Sequence, residues 1–165
     1  MDTVGSARHR TNAEGTSLEV GGDLVTFKGT REDGIGSLFL DLVSPPGGGP
    51  PPHTDPSEEL FYVLEGEFDF TLGSPTGLKT VRAARGDAVV VPKRVVHTYR
   101  NAGSTNGRLL VFFRDGENMQ GFFQDLGDKV TDPAHWVSSG PPALERVIAA
   151  CQRYGVEFAG PPPAH

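Results

Sequence analysis

Between about Val20 and Arg114, apolar residues either alternate with polar ones or run in short blocks, and turn signals cut each run to strand length. The runs are 24–27, 38–43, 59–64, 68–72, 78–82, 88–91, 95–100 and 108–113. Glu65-Gly66, Gly73-Ser74-Pro75, Arg85-Gly86-Asp87 and Asn106-Gly107 separate them, and residues 45–52 form a Pro/Gly loop that cannot lie inside a sheet. Short strands at this spacing predict an all-β antiparallel sandwich or barrel. Several runs are continuously apolar, so periodicity alone does not separate their inner and outer faces.

The period changes after Gly116. Met119, Phe122, Phe123 and Leu126 recur at helical spacing, with Gly127 as a stop. Leu144, Val147, Ile148 and Cys151 repeat the pattern, with Gly155 as the C-terminal signal. Both stripes read as packing faces, and Cys151 belongs to the second. The resulting division is an N-terminal mobile tail over 1–20, a β-domain over 21–116 and a helical extension over 117–165 packed on it. Pro161-Pro162-Pro163 reads as a frayed extended end, and Trp136, between the helices, as a packing anchor.

Composition narrows the function. The 165 residues suffice for one domain with a core, and 22 Gly with 14 Pro favour short strands and turns over long helices. A formal net charge of −6, with no basic run, argues against nucleic acid or an anionic membrane surface as partner. No stretch approaches the roughly 20 apolar residues of a membrane span, and the polar start lacks the apolar segment of a signal peptide. The single cysteine allows no internal disulfide. A cytoplasmic location is the expectation.

The chemistry concentrates in His53-Thr54-Asp55, Glu59 and His97. His53 and Asp55 are two apart, so on an extended strand they face the same side, and Pro56 should end that strand. Glu59 shares a face with Phe61 and Val63, where an unpaired carboxylate is costly and charge pairing removes the cost. Two imidazoles and two carboxylates suit one divalent metal, Fe, Ni, Mn or Zn, better than a thiolate-loving ion. Asp55 has two readings: a fourth ligand, or the opener of an Asp-Pro turn that leaves a 2-His-1-carboxylate set. Tyr99, two past His97, should face the same way and is a candidate catalytic hydrogen-bond donor beside Glu59, or a core aromatic. Phe39, Phe61, Phe70 and Phe112 are candidate cavity walls.

Residues 49–66, Gly-Pro-Pro-Pro-His-Thr-Asp-Pro-Ser-Glu-Glu-Leu-Phe-Tyr-Val-Leu-Glu-Gly, resemble the first cupin motif, with His53, Glu59 and Gly66 in register. Residues 86–101 resemble the second, through Gly86, Pro92, His97 and Asn101. The resemblance spans about Gly21 to Gly116, and the chain's end looks like that of small single-domain cupins compared with quercetin dioxygenases. It implies a cupin double-stranded β-helix, a conical jelly-roll barrel with short C-terminal helices, one central metal and commonly a homodimer. Two positions depart from the pattern. Asp55 stands where the first motif has its second histidine. Arg94 stands where the second motif has a glycine, in a turn that asks for positive φ.

Four functions are compatible with these residues. The leading one is a metal-dependent, quercetinase-like dioxygenase acting on a small aromatic or enol-bearing molecule, with Glu59 both ligating and accepting a proton. The second is a redox-silent cyclase, isomerase or lyase of polyketide-type biosynthesis. The third is a non-catalytic binding cupin. The fourth is a 2-oxoglutarate oxygenase with Arg108 as the carboxylate anchor; it leaves Glu59 without a place.

Overall fold

A computed structural model describes residues 6–159. Its strands are β1 (Ser17–Val20), β2 (Asp23–Gly29), β3 (Leu38–Ser44), β4 (His53–Thr54), β5 (Glu59–Glu65), β6 (Glu67–Ser74), β7 (Gly77–Ala84), β8 (Ala88–Val91), β9 (His97–Asn101), β10 (Gly107–Phe113), β11 (Asp128–Lys129) and β12 (Glu157–Phe158). Two helices, α1 (Glu117–Leu126) and α2 (Leu144–Tyr154), follow the β-domain. The strands form two antiparallel sheets, ordered β11-β1-β2-β3-β10-β5-β8 and β12-β4-β9-β6-β7. This is the all-β jelly-roll architecture expected of the sequence.

Alternation sets which side chains enter the core. Along β5, Glu59, Phe61 and Val63 are buried, while Leu60 and Tyr62 point out. Along β9, His97, Tyr99 and Asn101 are buried between the half-buried Thr98 and the exposed Arg100. Phe68, Phe70, Leu38, Leu40 and Leu109 are fully buried and fill the space between the sheets. Phe61 meets Phe70 edge-on at 5.2 Å between ring centroids. Phe39 and Phe112 differ from the expected cavity-wall role. They are register partners across β3 and β10 and lie on the half-buried outer face. Their runs carry no alternation to mark the face.

Residues 17–20, assigned to the tail from sequence, form β1. The segment before β1 is docked: the Arg10 guanidinium donates to Asp33 Oδ1 at 2.8 Å, and Lys28 Nζ donates to the carbonyls of Thr11, Asn12 and Glu14. Residues 1–5 and the Pro161–163 end lie outside the described residues.

Both helices occur where their stripes predicted. Met119, Phe122, Leu126 and Cys151 are buried, whereas Ile148 is 42% exposed. Gly155, at φ 73°, closes α2 in the left-handed conformation. The chain then returns as β12 and pairs Phe158 with His53 on β4. Arg94 reinforces that return by donating from Nη1 to the Gly155 carbonyl at 2.9 Å. Its own φ is 61°, so the turn does demand the conformation a glycine adopts most easily. Trp136 anchors the inter-helix connection by donating from Nε1 to Glu19 at 2.8 Å. Among the described residues, no helix is long and apolar enough to cross a membrane.

Candidate metal centre

His53 and His97 are direct register partners on β4 and β9, which sets their rings 4.4 Å apart. β4 ends after Thr54, as Pro56 requires, and Asp55 turns back beneath the pair. Glu59 enters as the first inward residue of β5, between Val91 of β8 and Phe113 of β10. The four residues the sequence spacing singled out thus come from three neighbouring segments. One ligand atom from each lies within 4.8 Å of the others.

The proton inventory shows what the cluster can hold. His53 Nδ1 lies 2.8 Å from the Pro51 carbonyl, and His97 Nδ1 lies 2.9 Å from the Val95 carbonyl. A carbonyl only accepts, so both Nδ1 atoms carry the hydrogen and, in the neutral rings, both Nε2 atoms present lone pairs. His97 Nε2 faces Glu59 Oε2 at 3.4 Å and Asp55 Oδ2 at 3.7 Å, and His53 Nε2 faces Asp55 Oδ2 at 4.0 Å. Neither His97 Nε2 nor Asp55 Oδ2 has a hydrogen-bond partner, although both are buried. With both carboxyls ionised, four acceptor atoms therefore converge with no donor between them, an arrangement that a cation satisfies. The donor set fits a divalent ion with nitrogen and oxygen preferences.

Asp55 makes the turn and also lies in the cluster. Its Oδ1 accepts from the Ser57 backbone N–H at 3.0 Å, which is the Asp-Pro turn, while its Oδ2 faces the histidines. Glu58, the neighbouring carboxylate in sequence, lies outside the cluster and faces Arg114 at 4.0 Å. Without a cation, burial pushes both cluster carboxyls up, Asp55 further raised by Glu59 beside it. Burial, followed by the charge of His97, pushes His53 down.

Above the cluster lies a cavity of about 260 Å3, walled by both sheets and both helices. Phe61, Phe113, Phe122 and Phe158 are among its walls, whereas Phe70 packs behind Phe61. Asp23 also lines it, a residue just before the first apolar run, 24–27, and outside the candidate site residues. Asp23 Oδ1 accepts from Ser44 Oγ and Oδ2 accepts from the Tyr99 hydroxyl, each at 2.6 Å. Burial holds its carboxyl up at about 6 despite these bonds. The inward parity of Asp23, Val25 and Phe27 was the signal that could have found it. Tyr99 does face the way His97 does, but its single proton is committed to Asp23. The donor role toward substrate expected of Tyr99 is therefore not what the structure shows. Arg108 is likewise occupied, donating from Nε to Asp41 Oδ1 at 2.8 Å and from Nη2 to Asp41 Oδ2 and to Asn12. It offers no free anchor for a 2-oxoglutarate carboxylate.

Residues 41–113 match the family described as "Cupin domain". Together with the two-sheet fold, that match identifies a cupin domain in this chain. Its curated relatives include the rhicadhesin receptor of Pisum sativum, 28% identical over 151 residues, covering 89% of this chain and 64% of the relative. Germin-like protein subfamily 2 member 1 of Arabidopsis thaliana is 30% identical over 141 residues, covering 84% and 59%. This chain thus spans roughly three-fifths of the length of these relatives. Among solved structures, a recombinant oxalate oxidase in complex with glycolate is 25% identical with a TM-score of 0.50, covering 57% of this chain and 51% of that one. The polyketide cyclase RemF from Streptomyces resistomycificus superimposes with a TM-score of 0.56 at 19% identity, covering 66% and 79%, and shares the fold.

Proposed function

We propose that this cupin is a metal-dependent enzyme acting on a small aromatic or enol-bearing molecule in the barrel, with dioxygenase-type chemistry. The observation that supports the reading is the convergence of four potential ligand atoms, two of them buried without a hydrogen-bond partner, at one end of an apolar cavity. His53, Asp55, Glu59 and His97 would hold one divalent ion, with Fe, Ni, Mn and Zn the candidates. Such an ion would polarise an enol or phenol oxygen and, if redox-active, support reaction with dioxygen. Glu59 lines the cavity, so its carboxylate would lie beside bound substrate and could accept a proton from it. Tyr99 and Asp23 act as a fixed wall rather than a proton relay. The apolar walls exclude water from the reacting end.

The paired carboxylates favour a second reading, a redox-silent cyclisation or isomerisation in which Asp55 and Glu59 move protons. One experiment serves both. Protein reconstituted in turn with iron, nickel, manganese and zinc is offered flavonols and other chelating enols, while oxygen uptake and product formation are followed. The expected result is turnover that chelation abolishes and that Glu59→Gln lowers by about 100-fold or more. Oxygen consumption would identify the dioxygenase, and product without oxygen uptake would identify the second reading. Turnover indifferent to chelation and to Glu59→Gln would refute both.

The homodimer expected from the resemblance belongs to the same proposal. Leu60, Tyr62 and Val90 are exposed on the outer face at the β8 sheet edge, an apolar surface of the kind a second copy covers.

A further inference from the structure

The cavity's charge and size narrow the class of molecule it can take; this rests on the cavity being the substrate chamber of the metal centre. Its polar lining consists of Asp23, His53, Glu59, His97, Tyr99 and Cys151, and among the described residues that line it none is Lys or Arg. Asp55 adds a further carboxylate behind the lining. A divalent ion on the cluster is balanced by the Asp55 and Glu59 charges, which leaves Asp23 as surplus negative charge facing the apolar walls. An anionic ligand would therefore enter a low-dielectric space with no cation of the protein's own to pair with.

Size points the same way. A dry cavity of about 150 Å3 takes one benzene ring, so the 260 Å3 present here suits two fused rings. Asp23 remains able to read such a ligand. Each of its oxygens already accepts one hydrogen bond, and a carboxylate has about four acceptor positions. With Ser44 and Tyr99 fixing it, it presents an acceptor to a ligand hydroxyl without having to move.

We propose that the cavity selects an uncharged, hydroxyl-bearing bicyclic aromatic molecule, whose hydroxyl donates to Asp23, and turns away anions of the same shape and small dicarboxylates.

The test is calorimetric binding of 2-naphthol, 2-naphthoate and oxalate to the full-length protein, with metal content measured on the same sample. The expected result is saturable binding of 2-naphthol, at least tenfold weaker binding of 2-naphthoate, and oxalate weaker than both. Val147→Trp should abolish 2-naphthol binding with metal content unchanged, because Val147 is a half-buried cavity wall on α2. Asp23→Asn removes the surplus charge and should erase most of the tenfold discrimination. Tighter binding of oxalate than of 2-naphthol would overturn the proposal, as would 2-naphthol binding that survives Val147→Trp. Loss of selectivity or of 2-naphthol binding with one metal per chain would defeat this inference alone. Selective 2-naphthol binding without any metal would support it while removing the metal reading.

Discussion

His97→Ala is expected to bind a divalent ion at least about 100-fold more weakly than the wild type while retaining its β-sheet structure. Loosening a residue that merely orients a ligand typically weakens metal affinity by about 10–100-fold, and this change deletes a donor outright. His97 Nε2 faces both carboxylates, at 3.4 Å from Glu59 and 3.7 Å from Asp55. Its removal leaves the carboxylates attached to a cluster that closes on one side only. The sheets should persist, because β9 is held by its ladder to β6 from Phe68↔Asn101 to Leu72↔His97. Calorimetric metal titration with far-UV circular dichroism on the same sample checks both halves. His97→Gln, closer in volume, should show the same loss of affinity. Wild-type affinity in either folded variant would remove His97 from the ligand set.

Metal-free protein is expected to become less stable as the pH rises from about 6.5 to about 8, and bound metal should remove that loss. Burial raises the Asp55 carboxyl from 3.8 to about 8 and that of Glu59 from 4.5 to about 7. Through this window the unfolded chain has already released both protons while the folded state still holds them. The unfolded state binds fewer protons, so unfolding becomes easier with every step up in pH. His53, lowered from 6.5 to about 4, acts in the opposite direction but only below 6.5. The net effect above that point is on the order of 2 kcal/mol. A divalent ion pairs the ionised carboxylates and adds its own binding energy, about 4 kcal/mol at a thousandfold excess over Kd. Urea unfolding at the two ends of the window, with chelator and with metal, measures the difference. Metal-free protein that is as stable at the upper end as at the lower would contradict the assignment of two buried, cation-dependent carboxylates.

Much of this was legible in the sequence, and for definable reasons. Strands with alternating patterns were read in the right phase, as along Glu59, Phe61 and Val63. The inward placement of Glu59 and the shared face of His97 and Tyr99 followed from a period of two. The motif spacing brought His53, Asp55, Glu59 and His97 together before any coordinates, and the structure places them within 4.8 Å. What escaped had weak or absent local signal. The two-residue strands β11 and β12 exist only because a partner strand is beside them. Phe39 and Phe112 sit in largely apolar runs without a phase marker, and their outer position emerges only from the β3–β10 register. Asp23 follows two glycines and stands just before the first apolar run, 24–27. Its partners Ser44 and Tyr99 are 21 and 76 residues away, so the bridge it makes between the sheets is a product of tertiary structure. Asp55 makes the Asp-Pro turn with one oxygen and faces the histidines with the other, a division of its two oxygens that spacing alone does not show.

The most direct measurement is the metal content of purified, tag-free protein by inductively coupled plasma mass spectrometry, before and after reconstitution, beside a variant carrying both His53→Ala and His97→Ala. The account predicts one divalent ion per wild-type chain and none retained by the double variant. A wild type that takes up no ion after reconstitution, or a folded double variant that keeps a full complement, would contradict it.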